Sequence, residues 1–258
     1  MSTALVTGAS AGIGTAFARR LAAEGSDLVV VARDRARLEA LAREVEGRHG
    51  VHVEVLVADL AQRDQVEEVC RRLADPSRPV DLLVNNAGFG FGASFLDNEV
   101  AQEESGLDVM VRAVVLTCHT AARSMRERGH GRIINVSSVA SFLSNGTYSA
   151  AKSYVTVFSE ALASELADTG VTVTALCPGF TRTEFHDRAR LQVSALPGWL
   201  WLDADTVVQE ALSDAARGKV LSVPGAQWKV VTAVIRALPR SALRGGAMRR
   251  LDRFRRRA

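Results

Sequence analysis

The chain has 258 residues, 47% hydrophobic and 24% charged, an ordinary globular composition that is long enough to bury a large core in one domain. Its three well-separated cysteines, Cys70, Cys118 and Cys177, lack the spacing of a disulfide framework or a metal site, and without a signal peptide or a long apolar run we expect a cytoplasmic protein. The net charge of +3 conceals nine arginines and one acid in residues 236–258, so the rest of the chain is acidic and the overall basicity does not indicate nucleic-acid binding.

Strands and helices alternate along the chain, and each strand is a short apolar run. The alternation predicts an α/β, Rossmann-type fold, a doubly wound parallel sheet of about seven strands with helices on both faces. Residues 1–225 would form this dinucleotide-binding and catalytic domain, and residues 226–258 a basic, amphipathic helical extension. In chain order the predicted elements are strand 4–7, helix 12–23, strand 28–32, helix 35–48, strand 51–57, helix 62–73, strand 81–84, helix 101–127, strand 132–136, helix 148–167, strand 171–176, helix 205–217 and strand 219–223.

The first predicted strand leads into a glycine-rich turn. Gly8, Gly12 and Gly14 follow Thr7, and glycine lets the backbone turn sharply and approach a ligand closely. The free amides at the start of the next helix favour a pyrophosphate. A glycine triplet also suits a plain strand–helix turn, but its place at the first strand of an alternating pattern predicts a dinucleotide site.

The end of the second strand should meet the adenosine ribose of that dinucleotide. An acid there would favour NAD(H), whereas this chain has Arg33, whose guanidinium can pair with a 2′-phosphate. Ser10 is a second candidate contact, and NADP(H) is therefore the preferred cofactor. The alternative is that Arg33 is a solvated charge and Asp34 reaches the ribose, in which case NAD(H) would bind.

Tyr148 and Lys152 lie four residues apart at the start of a predicted helix, so they share one face. We expect the lysine ammonium to lower the pKa of the phenol from about 10, so that Tyr148 serves as general acid or base on a carbonyl or alcohol. Ser138 follows the preceding strand on the ligand side of the sheet and could hold the substrate oxygen against Tyr148. Such a pair alone is commonly a solvated helix face, and its place after this strand end makes it a catalytic candidate.

The motifs resemble those of the short-chain dehydrogenase/reductase family, in its single-domain branch, over about residues 3–225. They occur in the family's order as Thr7–Gly14, Asp59-Leu60, Asn85-Asn86-Ala87-Gly88, Ser138 with Tyr148-Ser149-Ala150-Ala151-Lys152, and Pro178-Gly179.

The resemblance implies hydride transfer between the nicotinamide and a carbonyl carbon, with Tyr148 as proton donor or acceptor and Lys152 also on the nicotinamide ribose. Asp59 would bond the adenine amino group beside Leu60. It also implies a homodimer or homotetramer packed through the helices near residues 101–127 and 148–167. The remaining implied cofactor contacts are Gly8, Gly12, Ile13 and Gly14 at the phosphates, Asn86, Ala87 and Gly88 at the adenosine ribose, and Pro178, Gly179, Phe180, Thr181 and Thr183 at the carboxamide end.

Two positions depart from the family pattern. Members usually carry an asparagine in the long helix that supports a proton-relaying water chain, and alignment puts Met110 in its place, which cannot donate such bonds. Ser138 also precedes Tyr148 by fewer residues than usual, so the loop between them is short and reshapes one wall of the site. Ser137 and Ser141 are the alternatives to Ser138.

Residues 180–202 are the segment that would cover the substrate. They are rich in large apolar side chains, which favours a mobile lid that excludes water and a small hydrophobic carbonyl substrate such as a lipid-like ketone, a steroid or an aromatic aldehyde. Its tryptophans could instead be core or oligomer contacts. His186, Arg188 and Arg190 could be surface charges or meet an acidic carrier. The apolar residues are Phe180, Phe185, Leu191, Leu196, Trp199, Leu200, Trp201 and Leu202.

The extension combines an apolar face with arginines. Pro239 interrupts its helix, and arginines predominate beyond that point. We favour packing against the body or a neighbouring subunit, and the alternative is peripheral contact with an anionic membrane. The apolar face consists of Trp228, Val231, Val234, Ile235 and Leu238.

Three functions are therefore weighed. The first is an NADP(H)-dependent oxidoreductase, favoured by Ser138, Tyr148 and Lys152. The second is a dinucleotide-binding sensor or interaction protein with weak or no catalysis, favoured by Met110. The third, a membrane-anchored scaffold, rests on the extension alone.

Overall fold

The computed structural model describes residues 2–189 and 197–239, together with residues 241 and 243. One sheet of seven parallel strands has the order β3-β2-β1-β4-β5-β6-β7. This confirms the predicted doubly wound parallel sheet. The strands are β1 (Thr3–Thr7), β2 (Asp27–Ala32), β3 (Val53–Val57), β4 (Leu82–Asn85), β5 (Gly131–Val136), β6 (Val171–Leu176) and β7 (Leu221–Ser222).

Helices cover both faces of this sheet, and each face has its own core. Leu5 and Val6 are neighbours in β1 and are both fully buried, one in each core, because successive strand residues point to opposite faces. Helices α1, α2, α8 and α9 pack on the Val6 side, and α3, α5 and α6 on the Leu5 side. The helices are α1 (Gly12–Ala23), α2 (Arg35–His49), α3 (Arg63–Ala74), α4 (Val100–Leu107), α5 (Ala113–Arg128), α6 (Gly146–Glu165), α7 (Phe185–Arg188), α8 (Ala204–Ala216) and α9 (Ala226–Ala237).

Two predicted elements differ from the structure. The helix expected over residues 101–127 is α4 and α5 joined by a π-helical turn, Asp108–Arg112, and the strand expected at 219–223 is reduced to Leu221–Ser222. The segment expected to form the lid contains the short helix α7 and a 3₁₀ turn, Gly198–Leu200.

The extension begins as predicted with a helix, α9, but its apolar residues do not form a single buried face. Trp228 is buried, whereas Val234 and Leu238 are exposed. In the part of the chain that the structure describes, no helix is long and apolar enough to cross a membrane. Arg190, Leu191, Leu196 and the arginine-rich residues 244–258 lie outside the described residues.

Candidate active site

The turn between β1 and α1 has the shape that a pyrophosphate requires. Gly8 (φ +66°) and Gly12 (φ +56°) adopt left-handed backbone, and a Cβ on Gly14 would lie 2.2 Å from the Gly8 carbonyl oxygen. Helix α1 starts after Ala11, whose side chain makes no capping hydrogen bond. The first-turn amides, which include that of Ile13, are therefore available to an anion, and half-buried Ser10 lies in the same turn.

Asn86 and Ala87, at the end of β4, brace this turn. The Asn86 side-chain nitrogen donates to the carbonyl oxygens of Thr7 at 2.9 Å and Gly8 at 3.2 Å. The Thr7 hydroxyl accepts from the backbone amides of Asn86 at 2.9 Å and Ala87 at 3.1 Å. The next residue, Gly88, approaches the catalytic candidates, since a Cβ there would lie 3.5 Å from Lys152 Nζ.

At the end of β2, Arg33 is the residue free to meet the adenosine end of a cofactor. Its side chain is 74% exposed, and Nη1 lies 4.0 Å from Asp59 Oδ2. Asp34, the alternative ribose contact, instead caps helix α2 by accepting from the Arg37 amide at 3.1 Å. The structure thus brings Arg33 and Asp59 together, beside the buried Leu60.

Ser138, Tyr148 and Lys152 meet at the carboxyl end of β5. The hydroxyl of Ser138 accepts from the Ala140 amide at 3.1 Å and lies near enough to Tyr148 to lower the pKa of its phenol. Lys152 is buried one helical turn beyond Tyr148, donates from Nζ to the Val136 carbonyl oxygen at 2.7 Å, and lies 5.8 Å from the centre of the tyrosine ring. The three predicted catalytic side chains therefore form one cluster.

The expected lowering of the phenol pKa does not occur in this structure. Burial raises the pKa of Tyr148 to about 12, and the nearby Ser138 hydroxyl offsets only part of that rise. Burial also lowers the pKa of Lys152 to about 8, because an ammonium is poorly solvated there. The phenol is consequently protonated at neutral pH, the form that donates a proton.

The two alternative serines have other partners. Ser137 is buried behind the cluster, donates to the Lys152 carbonyl oxygen at 2.8 Å and hydrogen-bonds with Thr156 at 2.7 Å. The Ser141 hydroxyl lies 4.0 Å from the sulfur of Cys177. Of the three serines, Ser138 is the one whose hydroxyl acts on the pKa of the Tyr148 phenol.

Met110, which we expect at the position of the family's asparagine, lies in the π-helical turn. The side chain is fully buried, and its sulfur would lie 3.5 Å from a Cβ at Gly88. Two residues later, Arg112 donates to the Ala61 carbonyl oxygen at 2.6 Å. This hydrogen bond connects the π-helical turn to the loop that contains Asp59 and Leu60. An apolar side chain thus packs beside the Lys152 pocket where a hydrogen-bonding amide is usual.

The loop after β6 runs from Pro178 into residues 180–202, the segment expected to form a lid and called the lid here. The Pro178 carbonyl accepts from the Val139 amide at 3.1 Å, and the Gly179 carbonyl accepts from the Thr181 hydroxyl at 3.1 Å. A Cβ on Gly12 would lie 3.2 Å from Thr183, so Thr183 lies over the phosphate turn.

Aromatic rings join the lid to the catalytic cluster and to α9. The Phe185 ring centre lies 5.8 Å from that of Tyr148. The Phe180 ring is 5.5–5.7 Å from the rings of three residues, His186, Trp201 and Trp228. The ring of Phe180 therefore packs among these aromatic residues, and the role of residue 180 at the carboxamide end of the cofactor stays a prediction.

Trp228 is the site-shaping residue that sequence reasoning missed. Its indole Nε1 donates to the Leu200 carbonyl oxygen at 2.9 Å, and a Cβ on Gly179 would lie 2.0 Å from indole Cε2. The extension thereby supports both the Pro178–Gly179 turn and the second half of the lid. The only signal in the sequence was a large aromatic residue on the inner side of a short amphipathic helix.

The chain is similar to known proteins. A family model described as short chain dehydrogenase matches residues 2–194. A 3-oxoacyl-[acyl-carrier-protein] reductase from Synechocystis is 37% identical over 188 residues, which are 71% of this chain and 76% of that protein. The matched range includes the glycine turn and the three predicted catalytic residues, Ser138, Tyr148 and Lys152.

Solved structures are similar over most of the chain. A short-chain dehydrogenase from Sphingobium yanoikuyae in complex with NADPH has a TM-score of 0.83 and 32% identity, covering 93% of this chain and 97% of that one. The bulky-bulky ketone specific alcohol dehydrogenase from Comamonas testosteroni has a TM-score of 0.79 and 29% identity, covering 93% and 95%.

Proposed function

The chain belongs to the short-chain dehydrogenase family, and from that premise we propose that it uses NADP(H) to interconvert a bulky hydrophobic ketone or aldehyde and its alcohol. The observation that carries the proposal is the cluster of Ser138, Tyr148 and Lys152 at the carboxyl end of β5, facing the aromatic side of the lid.

The residues present fit a phosphorylated dinucleotide. The uncapped amides at the start of α1 suit the pyrophosphate, and exposed Arg33 suits a 2′-phosphate because Asp34 is engaged as a helix cap. The Sphingobium relative is in complex with NADPH, which supports the same choice. When bound, the nicotinamide supplies or accepts a hydride.

The side chains of the cluster handle the proton and orient the carbonyl. Ser138 would hold the carbonyl oxygen, and the protonated Tyr148 phenol would donate its proton to that oxygen as the carbon is reduced. Lys152, with a pKa lowered to about 8 by burial, is placed to position the ribose beside the phenol. In the reverse direction Tyr148 would have to accept a proton, which the burial of its anion opposes.

The aromatic side of the lid suits a large apolar substrate. Phe185 contacts the tyrosine ring, and Ala189 packs so closely on Gly90 that a Cβ there would lie 2.8 Å away. An enclosed apolar wall excludes water from the reacting carbonyl. The similarity to the Comamonas ketone-specific enzyme points to the same substrate class.

We further propose a homodimer or homotetramer through the outer faces of α5 and α6. Tyr154 and Val157 are exposed on α6, and a groove of about 390 Å³ runs between the two helices. Apolar side chains exposed on α6, beside a groove that α5 also lines, favour packing against a second copy.

The test is NADPH consumption with bulky aromatic or alicyclic ketones, compared with pyruvate as a small charged ketone. Tyr148→Phe should lower kcat by about 10²–10⁴-fold, because it removes the proton donor. Tyr154→Phe is the matched control, since Tyr154 is the other tyrosine of the chain and lies exposed on the same helix. Tight NADPH binding without turnover of any carbonyl would favour a dinucleotide sensor, the function that Met110 suggests.

A further inference from the structure

An ion pair joins the start of α2 to the loop after β6, two segments that are far apart in the sequence. Arg37 donates from Nη1 to both carboxylate oxygens of Glu184, at 3.0 Å and 3.3 Å. Arg37 Nε also lies 3.4 Å from Asp34 Oδ2, and Glu184 pairs with Arg188 in α7. Each member of the Arg37–Glu184 pair is therefore held by a neighbour on its own segment as well as by its distant partner.

The two ends of this ion pair lie on different parts of the candidate cofactor site. Glu184 directly follows Thr183, whose side chain lies over the glycine turn, since a Cβ on Gly12 would be 3.2 Å from Thr183 Cβ. Arg37 lies in the first turn of α2, four residues after Arg33 at the end of β2. The pair thus connects the segment that would meet the adenosine ribose with the residue that lies over the glycine turn.

We propose that Arg37 is a positioning residue for the cofactor, which acts through Glu184 to keep Thr183 against the bound dinucleotide and so slows its dissociation. The inference rests on the proposed use of NADP(H) and adds to it two residues that make no cofactor contact of their own. Because the effect passes through the loop after β6 and not through the 2′-phosphate, the pair should retain NADPH and NADH equally.

Two direct effects of charge would give different results. If Arg37 contacted the 2′-phosphate, its loss would weaken the binding of NADPH and leave the binding of NADH unchanged. If Glu184 acted only as a negative charge near the phosphates, its loss would strengthen the binding of both dinucleotides, because a carboxylate repels an anionic ligand. Positioning predicts weaker retention of both dinucleotides after the loss of either residue.

The test measures the dissociation rates of NADPH and NADH from the full chain by stopped-flow fluorescence, with excess oxidised dinucleotide as the competitor and no carbonyl substrate. Arg37→Gln and Glu184→Gln should each raise both rates about two- to fivefold, because both side chains are about half exposed and such pairs are weak. The double variant should release the dinucleotides no faster than either single variant, because both changes remove one interaction. In 1 M NaCl these differences should shrink, because salt screens an exposed ion pair.

A second exposed ion pair that includes α2 provides the matched control. Arg19 on α1 donates from two nitrogens to the carboxylate oxygens of Glu44 on α2, at 2.8 Å and 2.9 Å. Arg19→Gln and Glu44→Gln should leave the dissociation rates of both dinucleotides unchanged, because this pair does not involve the loop after β6.

The outcomes separate this inference from the proposed cofactor. Unchanged release from Arg37→Gln, slower release from Glu184→Gln, an effect confined to NADPH, or additive effects in the double variant would each overturn the positioning role and leave the use of NADP(H) intact. If the unsubstituted chain bound neither dinucleotide, the proposed cofactor would be wrong, and the positioning role would be wrong with it.

Discussion

The indole of Trp228 occupies the space above Gly179 so fully that a Cβ at residue 179 would lie 2.0 Å from indole Cε2. Gly179→Ala should therefore destabilise the fold by about 1–3 kcal/mol, because the loop or the indole must shift. It should also lower kcat/KM, since the loop leads directly into the lid. Urea unfolding and steady-state kinetics measure the two effects.

A glycine without such a neighbour provides the control. Gly47 lies within α2, and nothing approaches its Cβ position within 4 Å, so Gly47→Ala should stabilise by about 0.5–1 kcal/mol. Trp228→Leu should partly relieve Gly179→Ala in the double variant. If the losses in the free energy of unfolding of the two single variants were strictly additive in the double variant, the two residues would not be in steric conflict.

Lys152 gives the folded state a distinctive pH dependence. Burial lowers the pKa of its ammonium to about 8, whereas in the unfolded chain it is about 10.4. Between these values the unfolded state binds more protons, so the Lys152 contribution to the free energy of unfolding rises as the pH increases. Below pH 8 Lys152 is charged in both states, and its burial lowers the free energy of unfolding by an amount that does not change with pH.

Lys152→Met removes this titration. We expect the unfolding free energy of the unsubstituted chain, relative to that of Lys152→Met, to increase by about 1–3 kcal/mol between pH 7 and pH 10. Taking the difference between the two chains cancels the titration of buried Cys118, which acts in the opposite direction. A difference that is flat across this range would contradict the lowered pKa.

Arg33 should distinguish the two dinucleotides. Arg33→Ala removes a guanidinium at the end of β2, so the Kd for NADPH should rise about 10–100-fold, the loss of one charge-assisted hydrogen-bonding group. The Kd for NADH should change little. Fluorescence titration with both nucleotides measures the ratio.

The control for this change is Arg35→Ala, two residues along the chain. Arg35 is exposed and pairs with Glu39 within α2, so its loss should leave both Kd values unchanged. If Arg33→Ala raised the Kd for NADH as much as the Kd for NADPH, the guanidinium would not be the group that recognises the 2′-phosphate.

Local patterns sufficed to predict the sheet, the glycine turn between β1 and α1, and the proximity of Tyr148 and Lys152 at the end of β5. Apolar runs such as β2 identify buried parallel strands, and the fixed spacing of Tyr148 and Lys152 places both on one helix face. Parallel strands then bring their carboxyl ends, and the residues that follow them, to the same edge of the sheet. This is why Gly8, Arg33 and Ser138 could be assigned to one site.

Features that depend on tertiary contacts could not be predicted. The position of Trp228 over Gly179 depends on where α9 returns to the body, which no periodicity encodes. The pKa of Tyr148 follows from how deeply the ring is enclosed, not from its spacing to Lys152. The π-helical turn around Met110 likewise arises from a local shift in hydrogen bonding that the apolar pattern of the long helix does not reveal.

Met110 tests whether this chain needs a hydrogen-bonding group beside Lys152. Its fully buried side chain packs against Gly88, and a thioether donates no hydrogen bond. Met110→Leu keeps the volume and the apolar character, so kcat should stay within about threefold and stability within about 1.5 kcal/mol. Met125→Leu, in a buried position on α5 that packs against Gly131, controls for the general cost of replacing a buried methionine. Met110→Asn should instead destabilise the fold by about 1–3 kcal/mol, because it buries an amide group without hydrogen-bond partners. If Met110→Leu abolished turnover while Met125→Leu did not, the sulfur itself would take part in holding Lys152, and packing alone would not explain residue 110.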